Sequence, residues 1–192
     1  MIINKNHFNN DLNNSNISGI FEYYFKQTVN NLTIKQMETT KNTNEFTVTE
    51  VTTTYKPAFK MSERPRILSP NDLHFMIMQY EPMKEIIHYK EIFMAIYVNQ
   101  NSNILSIQKI GEGGLTATSV DVRIIMQSAL LQCATGIFLV HNHPSGQLKP
   151  SQADKNLTQQ VKQAAQFFNI QILDHVIITE DRFYSMYEED VL

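Results

Sequence analysis

Two histidines, two serines and an aspartate lie close together in the segment HNHPSGQLKPSQAD, which begins at residue 141. His141 and His143 follow the apolar run GIFLV, and alternate residues of a strand project to the same face. Asp154 falls in the first turn of the helix predicted next, on the face that this helix buries. Two imidazole nitrogens, one carboxylate oxygen and a water molecule form the open tetrahedral site of catalytic zinc. The spacing therefore predicts a metal centre where a strand ends.

The same residues also suit a purely structural role. Ser151 and Asp154 form the S-x-x-D pattern of a capping box, which stabilises the start of many helices. Histidines in a bare His-x-His pattern also serve as ordinary turn and core residues. An inward-facing carboxylate is costly to bury without compensation, however, and a cation beside the two imidazoles supplies it. Because Cys133 is the single cysteine, any metal must be held by His, Asp and Glu.

The elements that position these residues alternate between strand and helix. GIFLVHNH is short and apolar enough for a central strand, and the Pro-Ser-Gly that follows favours a turn. Ser151 is placed to cap the next helix, whose apolar positions recur at helical spacing from Leu157 to Phe168. ILDHVIIT and RFYSM follow as predicted strands. In ILDHVIIT, Asp174 and His175 are neighbours on one strand, so at most one of them can point into the site. We interpret them chiefly as structural residues, with the orientation of a metal ligand as the alternative.

The region before residue 136 predicts two further helices and a hairpin. Ser69 is placed to cap the first of these helices and Asp121 the second. Between the two helices, the predicted strands EIFMAIYVN and NILSIQKI flank a turn and form the hairpin. The glycines of GEGGL are expected to break the second hairpin strand, and Cys133 to fill apolar space on its helix. The whole pattern indicates an α/β or α+β fold with a mixed sheet between helices.

The first 45 residues differ in composition from the rest. They are rich in Asn, Thr and Lys and are predicted to be largely flexible, apart from one amphipathic helix in ISGIFEYYFKQTV. The folded domain is expected over residues 46–192, beginning with a strand in EFTVTEVTTTY. No stretch has the length of a membrane span, and the start lacks a secretory signal. We therefore expect a cytoplasmic protein that does not contact a membrane.

The charge balance argues against nucleic acid as a partner. The formal net charge is −3 and the pI is near 6.1, whereas a nucleic-acid-binding domain is usually strongly basic. The main basic cluster is the segment YKPAFKMSERPR, which we interpret as a solvated linker, with a small phosphate-contacting patch as the alternative.

The motif His141-x-His143-Pro, six residues, Ser151 and then Asp154 three residues later resembles the JAMM motif of MPN/JAB metalloproteases. The sequence segments HNHPSG, PSQAD and ILDHVIIT are still more similar to the RadC-like branch of that family, which is found in bacteria. The resemblance runs from about Glu50 to the end of the chain. It implies an MPN/JAB-like fold, related to the cytidine deaminase fold, with a mixed sheet sandwiched between helices.

By this resemblance, His141, His143 and Asp154 bind Zn²⁺, and Ser151 lies beside the metal-bound water and the developing oxyanion. The motif also calls for a glutamate on an early strand. Glu91, at the head of EIFMAIYV, stands in the matching place.

Glu85, six residues earlier, is the second candidate for this glutamate. Either carboxylate suits the chemistry, because a metal-bound water needs a nearby base to take its proton.

The resemblance implies a zinc-dependent metallopeptidase or isopeptidase acting on a peptide or protein. The first alternative is a non-catalytic or accessory protein of DNA metabolism, because RadC-like proteins carry a DNA-repair label. The acidic balance speaks against this alternative. The second alternative is a module that binds a partner through the N-terminal amphipathic segment.

Overall fold

The computed structural model describes residue 60, residues 63–113 and residues 119–192. The helices and strands are, in chain order, α1 (Pro70–Met78), α2 (Glu81–Ile86), β1 (Ile92–Val98), β2 (Ile104–Glu112), α3 (Val122–Leu131), β3 (Gly136–Asn142), α4 (Gln152–Gln166), β4 (Gln171–Ile178) and β5 (Phe183–Ser185). The predicted N-terminal helix and the strand in EFTVTEVTTTY lie outside the described residues. The division of the chain at residue 45 therefore stays a prediction.

The five strands form one mixed sheet in the order β2-β1-β3-β4-β5. The β3–β4 pair is parallel and the other three neighbouring pairs are antiparallel. The short, apolar β3 lies in the middle of the sheet, as its composition predicts. The parallel connection from β3 to β4 passes through α4, which brings the first turn of that helix to the end of β3.

Both faces of the sheet are covered by helices. On one face, Met94 and Ile96 of β1 belong to the cluster formed with α1 and α2. On the other, Phe93 and Tyr97 belong to the cluster formed with α3 and α4. All seven residues of β1 are buried, as expected for a strand packed on both sides. The prediction of a mixed sheet between helices is confirmed.

Side-chain caps start the three longer helices where the sequence places them. Ser69 Oγ accepts a hydrogen bond from the backbone N–H of Asp72 at 3.1 Å. Asp121 Oδ1 accepts one from the N–H of Arg123 at 2.9 Å, and the two side chains also form an ion pair. The cap of α4 belongs to the candidate site and is described below. Among the helices described, none combines the length and apolar character needed to cross a bilayer.

β2 continues through Gly111 and ends at Glu112, so it ends within GEGGL as predicted. Two other local predictions are wrong, both at the ends of helices. α3 ends at Leu131, and Cys133 follows it in the left-handed region (φ 53°) as an exposed residue rather than an apolar filler. α4 ends at Gln166, so Phe168 leaves the buried stripe and is 49% exposed.

Candidate metal centre

The end of β3, the turn after it and the start of α4 bring two imidazoles and a carboxylate together. The Nε2 atoms of His141 and His143 are 3.0 Å apart. Asp154 Oδ1 lies 3.3 Å from His141 Nε2, and Asp154 Oδ2 lies 3.8 Å from His143 Nε2. One donor atom from each residue lies within 4.8 Å of the others. The side chains of all three proposed ligand residues therefore converge on one point.

The local sequence explains this convergence. The backbone N–H of His143 donates to the carbonyl of Ile178 at 3.1 Å, which holds the chain beside β4 as β3 ends. The N–H of Gly146 then donates to the carbonyl of His143 at 2.9 Å and closes a turn. Gly146 has a φ of 78°, a backbone conformation that glycine adopts without the strain of a side chain. The Pro-Ser-Gly sequence thus turns the chain away while both imidazoles stay on the same side.

The spacing of the donor atoms fits a tetrahedral ion. Ligands bound to zinc at about 2.0–2.1 Å in a tetrahedron lie roughly 3.3 Å from one another. The separations of 3.0 Å between the two Nε2 atoms and 3.3 Å between His141 Nε2 and Asp154 Oδ1 are close to this value. His141 is fully buried and the Asp154 side chain is only 14% exposed, so an ion here would be largely shielded from solvent.

The tautomer of His143 supports the same interpretation. Its Nδ1 lies 2.5 Å from the carbonyl oxygen of Gln147, and a carbonyl can only accept. The ring therefore donates through Nδ1, which leaves a lone pair on Nε2 when the imidazole is neutral. That lone pair faces His141 Nε2 and the Asp154 carboxylate. This is the electronic form that a metal ligand requires.

Burial favours neutral rings elsewhere in the site. It lowers the pKa of His141 well below the usual histidine range, and the nearby Asp154 carboxylate only partly opposes this effect. His175, also fully buried, has its pKa lowered by burial and by its two histidine neighbours. Metal ligation requires neutral imidazole, so burial keeps His141 in its binding form without competition from a proton at neutral pH.

Asp154 also takes part in the cap of α4. Ser151 Oγ accepts from the N–H of Asp154 at 3.1 Å and donates to Asp154 Oδ2 at 2.6 Å. The N–H of Ser151 donates to the same Oδ2 at 2.7 Å, which completes the capping box. Oδ1 is the oxygen closer to His141. The structural and the metal-binding interpretations are therefore compatible, because the two carboxylate oxygens are used differently.

A cleft of about 660 Å³ opens beside the three donor residues. Glu91, His143, Ser151 and Asp154 line it together, with Phe93 and Leu157 among its apolar residues. Glu91 immediately precedes β1 and is partly buried.

Glu85, in contrast, is an exposed residue of α2 that does not line this cleft. Of the two glutamates named from the sequence, the fold therefore brings Glu91 to the site.

Asn142, between the two histidines, is a residue whose role the sequence does not reveal. Its side chain points away from the imidazoles, where Oδ1 accepts from the N–H of Ile92 at 2.8 Å. Its Nδ2 donates to the carbonyls of Ile87 at 2.9 Å and Lys90 at 2.8 Å. The peptide groups on both sides of Glu91 are thus bonded to the residue between His141 and His143. Strand alternation shows that Asn142 faces away, but its partners lie 50 or more residues earlier.

Replacing Asn142 by alanine should lower the free energy of unfolding by about 3 kcal/mol or more, because three backbone groups lose their partner at roughly 1–3 kcal/mol each. Urea unfolding of the full chain measures this effect. Asn156→Ala is the matched control, since Asn156 makes an exposed side-chain bond to Gln152 and its loss should cost less than about 0.5 kcal/mol. Equal stability losses in both variants would contradict the anchoring role of Asn142.

Of the neighbours Asp174 and His175, one faces the site, as strand alternation requires. His175 Nε2 lies 2.8 Å from His141 Nδ1. Asp174 accepts from Ser185 Oγ at 2.5 Å and from the N–H of Tyr187 at 3.0 Å, and so fixes the C-terminal turn. Burial raises the pKa of Asp174 against these hydrogen bonds. The structural interpretation therefore holds for Asp174, whereas His175 contacts a candidate ligand.

Comparison with known proteins agrees with the fold and the motif. The model of the RadC-like JAB domain family matches residues 67–191. A UPF0758 protein of Clostridium perfringens is 30% identical over 178 residues, which cover 92% of this chain and 74% of the relative. A UPF0758 protein of Flavobacterium johnsoniae is 43% identical over 101 residues, which cover 53% of this chain and 44% of the relative. A UPF0758 protein of Porphyromonas gingivalis is 35% identical over 130 residues, which cover 68% of this chain and 57% of the relative.

The fold and the site are those of a JAB domain. Among JAB domains, this chain belongs to the RadC-like JAB domain family. The resemblance inferred from the histidine motif is confirmed. Because this chain spans only 44% and 57% of the Flavobacterium and Porphyromonas relatives, it corresponds to part of those proteins.

Proposed function

We propose that this chain is a zinc-dependent hydrolase that cleaves an amide bond, either peptide or isopeptide, in a peptide or protein substrate. The observation that carries the proposal is the convergence of the lone pair of His143 Nε2, His141 Nε2 and the Asp154 carboxylate beside an open cleft. Glu91 lines the same cleft and is the carboxylate that we assign to proton transfer. The single cysteine suits a reducing compartment, so we propose the cytoplasm as the place of action.

His141, His143 and Asp154 would hold the ion. Zinc supplies, when bound, a water of lowered pKa and a Lewis acid that polarises a carbonyl. Glu91 would accept a proton at its carboxylate as the water oxygen bonds to the amide carbon. It would then deliver this proton to the nitrogen of the leaving amine as the C–N bond breaks.

Ser151 would stabilise the developing oxyanion of the reacting carbonyl. Its hydroxyl donates to Asp154 Oδ2 at 2.6 Å, and rotation of this hydroxyl would direct the same hydrogen to the developing oxyanion. The N–H of Ser151 still donates to Asp154 Oδ2 in that arrangement, so the carboxylate remains oriented. Ser151 would therefore support catalysis without the loss of the helix cap.

Metal analysis combined with unbiased peptide-library cleavage tests this function on the full chain. We expect about one zinc ion per chain, as a single tetrahedral site requires, and cleavage that chelation abolishes and added Zn²⁺ restores. Cleavage that persists after complete metal removal would contradict the proposal. A parallel DNA mobility-shift assay addresses the accessory alternative, because phosphate contacts make affinity fall steeply with salt. Salt-sensitive DNA binding without zinc or cleavage would favour that alternative.

A further inference from the structure

A buried chain of hydrogen bonds runs behind His141, away from the cleft. His141 Nδ1 lies 2.8 Å from His175 Nε2, and His175 Nδ1 lies 2.6 Å from Thr158 Oγ1. Thr158 Oγ1 in turn donates to the backbone carbonyl of Asp154 at 2.6 Å. The chain therefore links β3, β4 and α4. His141 and His175 are fully buried and Thr158 is 1% exposed, so bulk water does not compete for these bonds.

The carbonyl of Asp154 determines the direction of every bond in this chain. A carbonyl oxygen only accepts, so the single hydroxyl hydrogen of Thr158 is committed to it. Thr158 Oγ1 must then accept from His175 Nδ1. A neutral imidazole carries one N–H, so His175 Nε2 has a lone pair and accepts from Nδ1–H of His141. His141 Nε2 is consequently left without a hydrogen, facing the site.

The opposite direction would disable the site. If Thr158 donated to His175, then His175 Nε2–H would donate to His141 Nδ1, and the neutral His141 would carry its hydrogen on Nε2. The Asp154 carbonyl would also lose its short bond to the hydroxyl. Thr158 Oγ1 lies 2.6 Å from both the Asp154 carbonyl and His175 Nδ1. Only donation to the carbonyl makes both contacts hydrogen bonds, because the imidazole can donate and a carbonyl cannot. Met186 Sδ, at 3.7 Å, is only a weak acceptor.

We propose that Thr158 and His175 are positioning residues that hold His141 in the tautomer with Nδ1 protonated and Nε2 free to ligate a metal. This inference rests on the proposed metal-dependent function and deepens it. Asp154 contributes twice, since its carboxylate faces the ion position and its carbonyl ends the hydrogen-bond chain. The docking of α4 against β4 thus prepares two of the three ligands together.

Thr158 offers a matched pair of variants for the test. Thr158→Val keeps the shape but removes the hydroxyl, whereas Thr158→Ser keeps the hydroxyl. In the full chain, with Zn²⁺ as the probe, we expect Thr158→Val to weaken zinc binding by roughly 10- to 100-fold and Thr158→Ser to stay within about threefold of wild type. Competition with a chromophoric chelator measures both affinities. Histidine ¹⁵N NMR of the metal-free protein at neutral pH reports whether His141 Nδ1 carries a hydrogen.

The NMR measurement decides the tautomer without any variant, so the inference remains testable even if Thr158→Val fails to fold. A hydrogen on Nδ1 of His141 together with a bare Nε2 supports it, whereas an unprotonated Nδ1 or a hydrogen on Nε2 overturns it. Thr158→Val that folds and binds Zn²⁺ as tightly as wild type also overturns it. A wild type that binds no Zn²⁺ contradicts the proposed function instead, while the ¹⁵N spectrum still decides the tautomer.

Discussion

Replacing Asp154 by alanine is expected to abolish stoichiometric zinc binding and, with it, hydrolytic activity. The variant removes the one anionic donor of the site and leaves two imidazoles to hold a divalent ion. Loss of an outer partner alone typically costs 10- to 100-fold in metal affinity, so loss of a direct ligand should exceed about 100-fold. Metal analysis after dialysis and chelator competition both measure this effect. His143→Ala should lose zinc in the same way.

Asp121→Ala is the control that separates a metal ligand from a helix cap. Asp121 starts α3 as Asp154 helps to start α4, and each carboxylate accepts a hydrogen bond from a backbone N–H of its helix start. Each alanine variant should therefore lose roughly 1 kcal/mol of stability. Only Asp154→Ala should lose zinc. If it kept its full zinc content, Asp154 would be only a capping residue.

The sequence was sufficient to predict the central strand, the caps and the convergence of the histidines with Asp154. These predictions rest on local rules, namely the alternation of side chains along a strand and the pairing of Ser151 with Asp154 in a capping box. The ends of α3 and α4 were harder to predict from the sequence. The spacing of apolar residues continues past the point where the backbone leaves the helix. Phe168 thus matches the apolar stripe in sequence but lies beyond Gln166, where α4 ends.

The partners of His175 and Asn142 depended on information that local rules do not contain. Alternation leaves open which of Asp174 and His175 faces the site. The register of β3 against β4, which pairs Leu139 with His175, settles it. Thr158 reaches His175 only because α4 crosses over β4. A hydrogen-bond chain of this kind is therefore a property of the tertiary fold, although each of its residues lies in a predicted element.

The choice between Glu91 and Glu85 was open for the same reason. The motif favours Glu91, and Glu85 was kept as the second candidate because periodicity excludes neither position. Asn142 resolves the choice physically, because it bonds the peptide groups on both sides of Glu91. The loop is thereby tied to the residue between the two candidate histidine ligands. Glu91 lines the cleft as a result, whereas Glu85 lies exposed on α2.

Replacing Glu91 by glutamine is accordingly expected to lower kcat by about 10²- to 10⁴-fold, the usual contribution of a general acid or base. Zinc content should be unchanged, because Glu91 is not among the three donor residues. Glutamine keeps the size and hydrogen-bonding capacity of the side chain but cannot accept the proton from water. The measurement is steady-state hydrolysis of a peptide selected from the library, together with metal analysis of the same samples.

Glu85→Gln is the matched control and should retain wild-type kcat and zinc content. The comparison also distinguishes a proton carrier from a structural carboxylate, because a loss of activity at Glu91 with zinc and stability intact cannot arise from unfolding or metal loss. A large loss of kcat in Glu85→Gln with full activity in Glu91→Gln would reverse the assignment. Proton transfer would then have to start from α2, which belongs to the core cluster on the opposite face of the sheet.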